Sequence, residues 1–261
     1  MNWLLKIIEI YRRYGIKRVI ELVKLKILYS NVVNDRPYQK LFENKCGIEI
    51  GGPSKFFKTT INIYDKIKSL DGVNFSESTM WEKELTDGWN YRYDGKETGY
   101  QYISDAVYLS NIESGKYDFV LSCNNLEHIA NPMKALEEWI RVIKSNGIIL
   151  LVLPNKVGNF DHNRKITRFE HLLDDYSNNV SEKDLTHLEE ILKFHDLTLD
   201  PLAGDIENFK NRSLNNFQNR CLHHHVFDLP LLRSIFDYLN IVVCLEGKTT
   251  SDYIILGRLK E

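Results

Sequence analysis

Histidine and acidic side chains from residue 127 onward are the residues whose chemistry could support catalysis. Glu127 and His128 are adjacent, and His162 directly follows Asp161. Histidine suits general-base catalysis near neutral pH, because its ordinary pKa lies close to that range. We predict His162 as the first candidate for a general base and His128 as the second.

Three successive histidines at positions 223–225 are a further candidate group. Adjacent side chains diverge, so three successive histidines cannot easily bind one metal ion. We therefore place His224 or His225 in a substrate pocket, with a loop packed by imidazole rings as the alternative. His171 and His187 lie on predicted helical segments near acidic residues, and we interpret both as structural.

A glycine-containing turn follows the first predicted strand. Residues Lys45–Ile50 form a short apolar strand that includes Glu49, and the chain then continues as Gly51-Gly52-Pro53-Ser54. Glycine lets a backbone approach a bound cofactor closely at little cost. A tight turn beside a surface acid is the alternative interpretation. A helix is predicted to begin at Pro53 or Ser54.

Alternating strands and helices must position these residues. Tyr117–Ser122 and Ile148–Leu153 are apolar strands, and Pro132–Ile143 between them has its apolar residues along one helical face. Strands this apolar indicate a parallel sheet covered on both faces. Two final strands, Ile241–Leu245 and Tyr253–Leu259, are separated by a connection short enough to make them antiparallel neighbours.

The strands on the other side of the sheet are less clear. Lys66–Leu70 is a weak strand that ends at Asp71, and Tyr100–Ile103 leads to Asp105-Ala106. Residues 74–100 are polar and aromatic, and we predict a long loop there.

Three regions divide the chain. Residues 1–43 are predicted to form a helical lid of two amphipathic segments broken near Gly15, and binding to a membrane surface or a partner is the alternative. Residues 44–261 form the main domain. Residues 155–222 are predicted to be an insertion over its active-site edge, with helices at Ile166–Tyr176 and Glu182–Phe194, and a further helix is predicted over Leu229–Leu239.

Composition narrows the class of protein. The chain has 261 residues, 43% of them hydrophobic, with a net charge of −2, which fits a globular domain and argues against broad nucleic-acid binding. Four cysteines without CxxC spacing favour a reduced, cytoplasmic protein over a disulfide framework. We recognise neither a signal peptide nor an apolar run long enough to span a bilayer.

The sequence resembles the class I methyltransferases that use S-adenosylmethionine (SAM). The resemblance covers roughly residues 45–154 and 225–259, and it is strongest from Tyr117 to Pro154, which reads YDFVLSCNNLEHIANPMKALEEWIRVIKSNGIILLVLP. It implies a doubly wound α/β fold with a mostly parallel seven-stranded sheet, an antiparallel terminal hairpin and a helical insertion after the fifth strand. The whole chain is also similar to methyltransferases of surface-polysaccharide (capsule and O-antigen) gene clusters.

The resemblance implies a SAM site along the carboxyl edge of the sheet. Glu49 would bind the methionine amino group, Asp71 the ribose hydroxyls and Asp105 the adenine amino group. A plain Asp-Gly turn is the alternative for Asp71, with Asp65 as its substitute if the strand lies earlier. The other cofactor-binding residues would be Gly51, Gly52, Pro53, Ser54, Ala106, Cys123, Asn124 and Asn125.

Some relatives bind a divalent metal through a Glu-x-x-Glu-His motif. In this chain Asn124 replaces the first glutamate, which removes a charged ligand. We therefore predict no metal, with Glu127, His128 and His162 as weak candidate ligands.

The function that follows is O-methylation of a sugar or phosphate-type group in surface glycan synthesis, with S-adenosylhomocysteine as the second product. Basic and amide residues of the insertion suit an anionic acceptor such as a nucleotide sugar or a lipid-linked glycan: Arg164, Arg168, Asn211, Arg212, Asn219 and Arg220. The alternatives are a SAM-binding protein without catalysis and methylation of another small metabolite. A nicotinamide-dependent oxidoreductase is disfavoured, because its glycine and Tyr-x-x-x-Lys motifs are missing. The oligomeric state stays open, and the N-terminal helices could touch the inner membrane face.

Overall fold

A computed structural model describes residues 3–29, 33–95 and 98–260, and the side chains from residue 7 onward. Eight strands form one sheet in the order β3-β4-β2-β1-β5-β6-β8-β7. Their bounds are β1 Cys46–Ile50, β2 Ser69–Asn74, β3 Gly88–Arg92, β4 Thr98–Ile103, β5 Tyr117–Cys123, β6 Ile143–Pro154, β7 Ile241–Lys248 and β8 Asp252–Leu259.

The centre of the sheet is parallel. Strands β4, β2, β1, β5 and β6 pair in parallel in that order. Strand β8 is antiparallel to both β6 and β7, which confirms the predicted terminal hairpin. Strands β1 to β4 occupy one half of the sheet, and β5 to β8 occupy the other. The topological switch point is therefore the boundary between the neighbouring strands β1 and β5.

The predicted count of seven strands is wrong because β3 adds an antiparallel edge strand next to β4. This strand lies inside residues 74–100, which we predicted as a loop and of which 96 and 97 fall outside the described residues. Its sequence is polar on one side, but Tyr91 points inward and is buried. An edge strand needs only one apolar face, and the surrounding polar residues hide that pattern.

Strand β2 also runs further than predicted, through Asn74 rather than ending at Asp71. Asp71-Gly72 has the composition of a turn, yet Gly72 occupies the middle of the strand. A Cβ atom added to Gly72 would lie 2.2 Å from the Tyr91 ring, so glycine is needed for packing and not for a turn.

Helices cover both faces of the sheet, each over its own apolar cluster. Alternate residues of β5 divide between them, Val120 into one cluster and Phe119 and Leu121 into the other. The helices are α1 Trp3–Leu28, α2 Arg36–Phe42, α3 Pro132–Val142, α4 Phe169–Ser177, α5 Leu188–Phe194, α6 Ile206–Leu214, α7 Asn216–Asn219 and α8 Leu229–Tyr238. Helix α3 begins at Pro132, and the Asn131 side chain accepts a hydrogen bond from Lys134 N.

The N-terminal helix α1 bends where the sequence predicts a break. Gly15 has a φ of 77°, outside helical geometry, in the middle of α1. Tyr14 donates a hydrogen bond to Asp196, and Arg18 donates one of 2.7 Å to Val157 O. The helix therefore packs on residues of the predicted insertion. None of the described helices is long and apolar enough to cross a membrane.

Residues 155–222 are mainly helical and carry α4 to α7. Helices α4 and α5 begin later than the predicted segments Ile166–Tyr176 and Glu182–Phe194, and we predicted neither α6 nor α7. A small separate cluster of buried residues supports this region: Ile191, Ala203, Phe209 and Leu222. The division at residues 43 and 44 and the function of the insertion stay predictions, and residues 1, 2, 30–32 and 261 lie outside the described part.

Candidate active site

A cavity of about 400 Å³ opens at the carboxyl ends of β1, β2, β4 and β5. This is the edge at which open α/β sheets bind ligands, beside the switch point. Its lining includes Gly51, Gly52, Pro53, Ser54, Asn74, Phe75, Trp81, Glu82, Asp105, Ala106, Cys123, Asn124, Asn125, His128, Ile129 and Arg220.

The turn after β1 forms one wall of the cavity. Gly51 has a φ of 78°, a conformation that side chains disfavour. A Cβ atom on Gly51 would lie 2.7 Å from Asn125 Oδ1, and one on Gly52 would lie 2.2 Å from the Glu49 carboxyl carbon. Both positions therefore require glycine. The helix predicted at Pro53 or Ser54 is reduced to one turn of π-helix over Phe56–Thr60.

Glu49 lies beneath this turn and does not line the cavity. Its buried carboxylate accepts hydrogen bonds from Tyr64 Oη at 2.6 Å, Tyr91 Oη at 2.8 Å and Ser54 N at 3.0 Å. Burial raises the pKa of Glu49 to about 7, against the lowering effect of these donors. The structure therefore makes Glu49 a brace for the turn, in place of the ligand contact that we predicted.

Asp71 also lies away from the cavity. Its carboxylate accepts hydrogen bonds from Tyr117 Oη at 2.6 Å and Tyr100 N at 2.9 Å, and Lys116 Nζ is 3.4 Å away. The structure places Asp71 outside the cavity because β2 continues three residues beyond it, and the ribose contact stays a prediction. The substitute Asp65 is exposed and accepts from Asn62.

Asn74 is the residue that β2 brings to the cavity in place of Asp71. Its Nδ2 donates a hydrogen bond of 3.2 Å to Gly52 O, which ties the strand end to the glycine turn. Sequence reasoning missed Asn74, although the apolar Val73 after Gly72 indicated that the strand could continue. Trp81 and Glu82 were also missed, because the irregular segment that carries them has no motif.

Asp105 and Ala106 line the cavity just beyond β4. Asp105 Oδ2 lies 2.9 Å from Arg220 Nη2, and Ala106 O accepts a hydrogen bond from Trp139. Arg220 Nη1 is also 3.2 Å from Glu182 Oε1. Arg220 thus joins the insertion to the end of β4.

Cys123, Asn124 and Asn125 line the cavity after β5. Burial raises the pKa of the Cys123 thiol well above its usual range, so the thiol stays protonated near neutral pH. Asn124 adopts a left-handed φ of 48°, which asparagine tolerates better than most residues.

His128 is the predicted catalytic histidine that lines the cavity. Its Nδ1 lies 3.1 Å from Leu222 O. A carbonyl only accepts hydrogen bonds, so Nδ1 carries the proton and Nε2 keeps a lone pair in the neutral ring. Burial is the main cause that holds the pKa of His128 well below its usual value, and the neighbouring His223 lowers it further. The ring is therefore neutral at pH 7 and can accept a proton.

Glu127 and His223 adjoin His128. The three side chains offer ligand atoms that all lie within 4.8 Å of one another. Within the described part of the chain, neither oxygen of the buried Glu127 carboxylate has a hydrogen-bond partner. Burial raises the pKa of Glu127 to about 7. His223 Nδ1 lies 2.5 Å from Asp161 Oδ2, which leaves its other ring nitrogen for a different partner.

The other two predicted catalytic histidines are elsewhere. His162 Nε2 lies 2.9 Å from Asp196 Oδ2, in a groove beside α1. His224 is buried, and its Nε2 accepts a hydrogen bond of 3.0 Å from Asn216. Neither residue lines the main cavity, so the structure places both outside the candidate site and removes His162 from the candidate metal ligands.

Comparison with known families gives one match. Residues 65–151 match the model of the family described as "Methyltransferase domain". The matched part runs from before β2 through β5 and into β6, and it includes Asp105 and Asn124, which line the cavity.

Solved structures resemble the chain only distantly. The PH0226 protein of Pyrococcus horikoshii is 15% identical over 97% of this chain and 99% of its own, with a TM-score of 0.48. A methyltransferase from Aquifex aeolicus is 11% identical over 92% and 98%, with a TM-score of 0.46. A Listeria monocytogenes structure described as a putative SAM-dependent methyltransferase is 14% identical over 95% and 100%, also at 0.46. Comparison with curated proteins gives no match.

Proposed function

We propose that the protein is a methyltransferase that binds SAM in the main cavity and transfers the methyl group to a hydroxyl of a sugar or phosphate-type acceptor in bacterial surface glycan synthesis. One observation carries the donor part of this proposal. The cavity unites the glycine turn, Asn74, Asp105-Ala106 and Asn124-Asn125 at the switch point of the sheet.

The donor's polar groups would meet different walls. Asp105 is the carboxylate available for the adenine amino group, and Asn74 and Glu82 are the lining residues that can bind ribose hydroxyls. Glycine at positions 51 and 52 lets the backbone approach the methionine part closely.

A hydroxyl acceptor needs a base, and His128 supplies one. Methyl transfer from a sulfonium is an in-line displacement, in which the acceptor oxygen attacks the methyl carbon while its proton leaves. His128 Nε2 has a free lone pair in the tautomer fixed by Leu222 O, so it can take that proton.

The acceptor is proposed to be anionic because the cationic Lys55 lines the cavity. Arg220 also lines it, but its charge is shared with Asp105 and Glu182. A nucleotide sugar or a lipid-linked glycan would fit. The other arginines of the insertion support this less, since Arg164 is buried against Asp161 and Arg212 binds Asp200.

A metal-assisted transfer is the second candidate, favoured by the unpartnered carboxylate of Glu127. Glu127, His128 and His223 would hold the ion, although Asn124 offers an amide where metal-binding relatives have a carboxylate. A bound divalent ion would polarise the acceptor hydroxyl.

Calorimetric titration with SAM tests the donor site directly. We expect micromolar binding by the wild type, binding at least tenfold weaker by Asp105→Ala, and no binding of NADH. Methylation of a panel of nucleotide sugars, with and without EDTA, then tests the acceptor and the metal. Loss of transfer in EDTA with SAM binding intact would favour the metal-assisted route. SAM binding without transfer to any acceptor would favour a non-catalytic SAM-binding protein or a different small-metabolite acceptor.

We propose a cytoplasmic location, since the four cysteines are free. Membrane contact through α1 is proposed as well, because Ile16 and Ile20 are exposed beside basic residues. Cosedimentation with anionic vesicles tests it, and an Ile16→Ser variant should bind them more weakly.

A further inference from the structure

We propose that His171, Asp175, His187 and His225 form a binding site for one zinc-type divalent ion, separate from the main cavity. The four groups each offer one ligand atom, and these atoms all lie within 4.8 Å of one another. None of the four residues lines the cavity.

Three different parts of the fold bring these side chains together. His171 and Asp175 are four residues apart on α4 and therefore share one face of that helix. His187 directly precedes α5, and His225 lies on the extended segment before α8. Residues far apart in sequence thus converge on one point.

Two of the distances between the candidate ligand atoms are close to those around a tetrahedral ion. His171 Nε2 lies 3.0 Å from His187 Nε2 and 3.3 Å from Asp175 Oδ2. Ligands about 2.0–2.1 Å from a tetrahedral zinc ion are separated from one another by about 3.3 Å. A set of three imidazoles and one carboxylate is a donor set that zinc accepts.

Two buried polar atoms point to a missing partner. Asp175 is 8% exposed and His225 is 1% exposed. Among the residues that the structure describes, neither Asp175 Oδ2 nor His225 Nδ1 makes a hydrogen bond. Buried polar atoms without partners are rare in folded proteins.

The protonation of His225 suits a ligand. Its Nε2 lies 3.1 Å from Ala130 O and 3.6 Å from Asp175 Oδ2, and its buried Nδ1 has no hydrogen-bond partner among the described residues. Because the carbonyl only accepts, Nε2 carries the proton and the lone pair is left on Nδ1, the arrangement common in metal-bound histidines. Ala130 is next to Ile129, which lines the cavity, so the ion would fix the insertion against the cavity wall.

Zinc binding by the full chain without an affinity tag tests the proposal. The chelator-stripped protein would be titrated with Zn²⁺ against a chromogenic chelator, and with Co²⁺, whose visible absorption is strong in a tetrahedral site. The variants are His171→Gln, Asp175→Asn and Glu127→Gln, with His195→Gln as a matched control. His195 also lies beside a carboxylate, 3.2 Å from Asp200, but outside the four-residue group.

We expect one tight zinc in the wild type, His195→Gln and Glu127→Gln, and binding at least tenfold weaker in His171→Gln and Asp175→Asn. Zinc should also raise the melting temperature of the wild type but not of these two variants. His171 is partly exposed, so His171→Gln decides the question if Asp175→Asn does not fold. Equal binding by the wild type and His171→Gln, or loss of binding in Glu127→Gln alone, would overturn the proposal.

Discussion

Arg220 and Asp105 lie 2.9 Å apart although 115 residues separate them in the chain. The same guanidinium lies 3.2 Å from the buried Glu182, so one side chain joins the end of β4 to two points of the insertion. Arg220 also has a left-handed φ of 52°, and it therefore ends α7 as well.

Replacing Arg220 with Met should lower the free energy of unfolding by about 1–3 kcal/mol, because the buried Glu182 loses its cationic partner. Thermal and denaturant melts measure the loss. Arg233→Met is the matched control, since it breaks an exposed pair with Glu246 and should cost less stability than Arg220→Met. Equal losses would show that the contact of Arg220 is no stronger than a surface pair.

Asp71→Asn should leave the affinity for SAM within about twofold, whereas Asn74→Ala should weaken it about tenfold, the loss expected for one hydrogen bond. The reason is that β2 presents Asn74, and not Asp71, to the cavity. Titration calorimetry on both variants decides the matter. Weaker binding by Asp71→Asn alone, with its melting temperature unchanged, would restore the sequence-based assignment.

His128→Gln should reduce methyl transfer by about 10²–10⁴-fold, the usual contribution of a general base, while SAM still binds. His162→Gln should leave transfer unchanged, because that ring lies beside α1. Since the pKa of His128 is held well below its usual value, the rate in the wild type should not fall near pH 6.5 on acidification. Single-turnover rates across pH check both points, and a loss in His162→Gln would contradict the placement of the base.

The stability of the protein should fall as the pH rises from roughly 4.5, near the pKa of an unfolded glutamate, to about 7. The reason is that burial raises the pKa of Glu49 in the folded state to about 7. The folded state holds this proton more tightly than the unfolded state, so unfolding becomes easier once the carboxyl must ionise. The glutamine in Glu49→Gln does not titrate. The free energy of unfolding of this variant should therefore rise relative to that of the wild type when the pH is raised from 5 to 8. Melts at both pH values measure that difference, and the exposed Glu113→Gln should show no such change. A constant difference between Glu49→Gln and the wild type would refute the buried proton.

The predictions of strands and helices from the sequence were most accurate where the pattern of apolar residues is strong. The block from β5 to β6 and the terminal hairpin follow from apolar runs that a buried sheet requires, and the kink at Gly15 follows from its conformational freedom. Strand β3 and the end of β2 were missed, because a half-buried edge strand and a packing glycine look like loop and turn.

The candidate site was predicted unevenly for a related reason. Strand ends fix the backbone position of Asp105 and Asn124, so both reach the cavity. Glu49 and Asp71 lie within strands, so the direction of each side chain depends on which face of the sheet its position occupies. It also depends on hydrogen bonds from tyrosines that are distant in sequence. The placement of His162 depends on how the insertion folds, which no local pattern reveals.

All of the described residues that line the cavity lie between positions 50 and 129, except Arg220. The lining of the cavity and the insertion thus come almost entirely from separate stretches of the chain. Residues 155–222 could therefore be exchanged, in evolution or by engineering, without altering the lining residues between positions 50 and 129, provided that an arginine at the end of the insertion still binds Asp105.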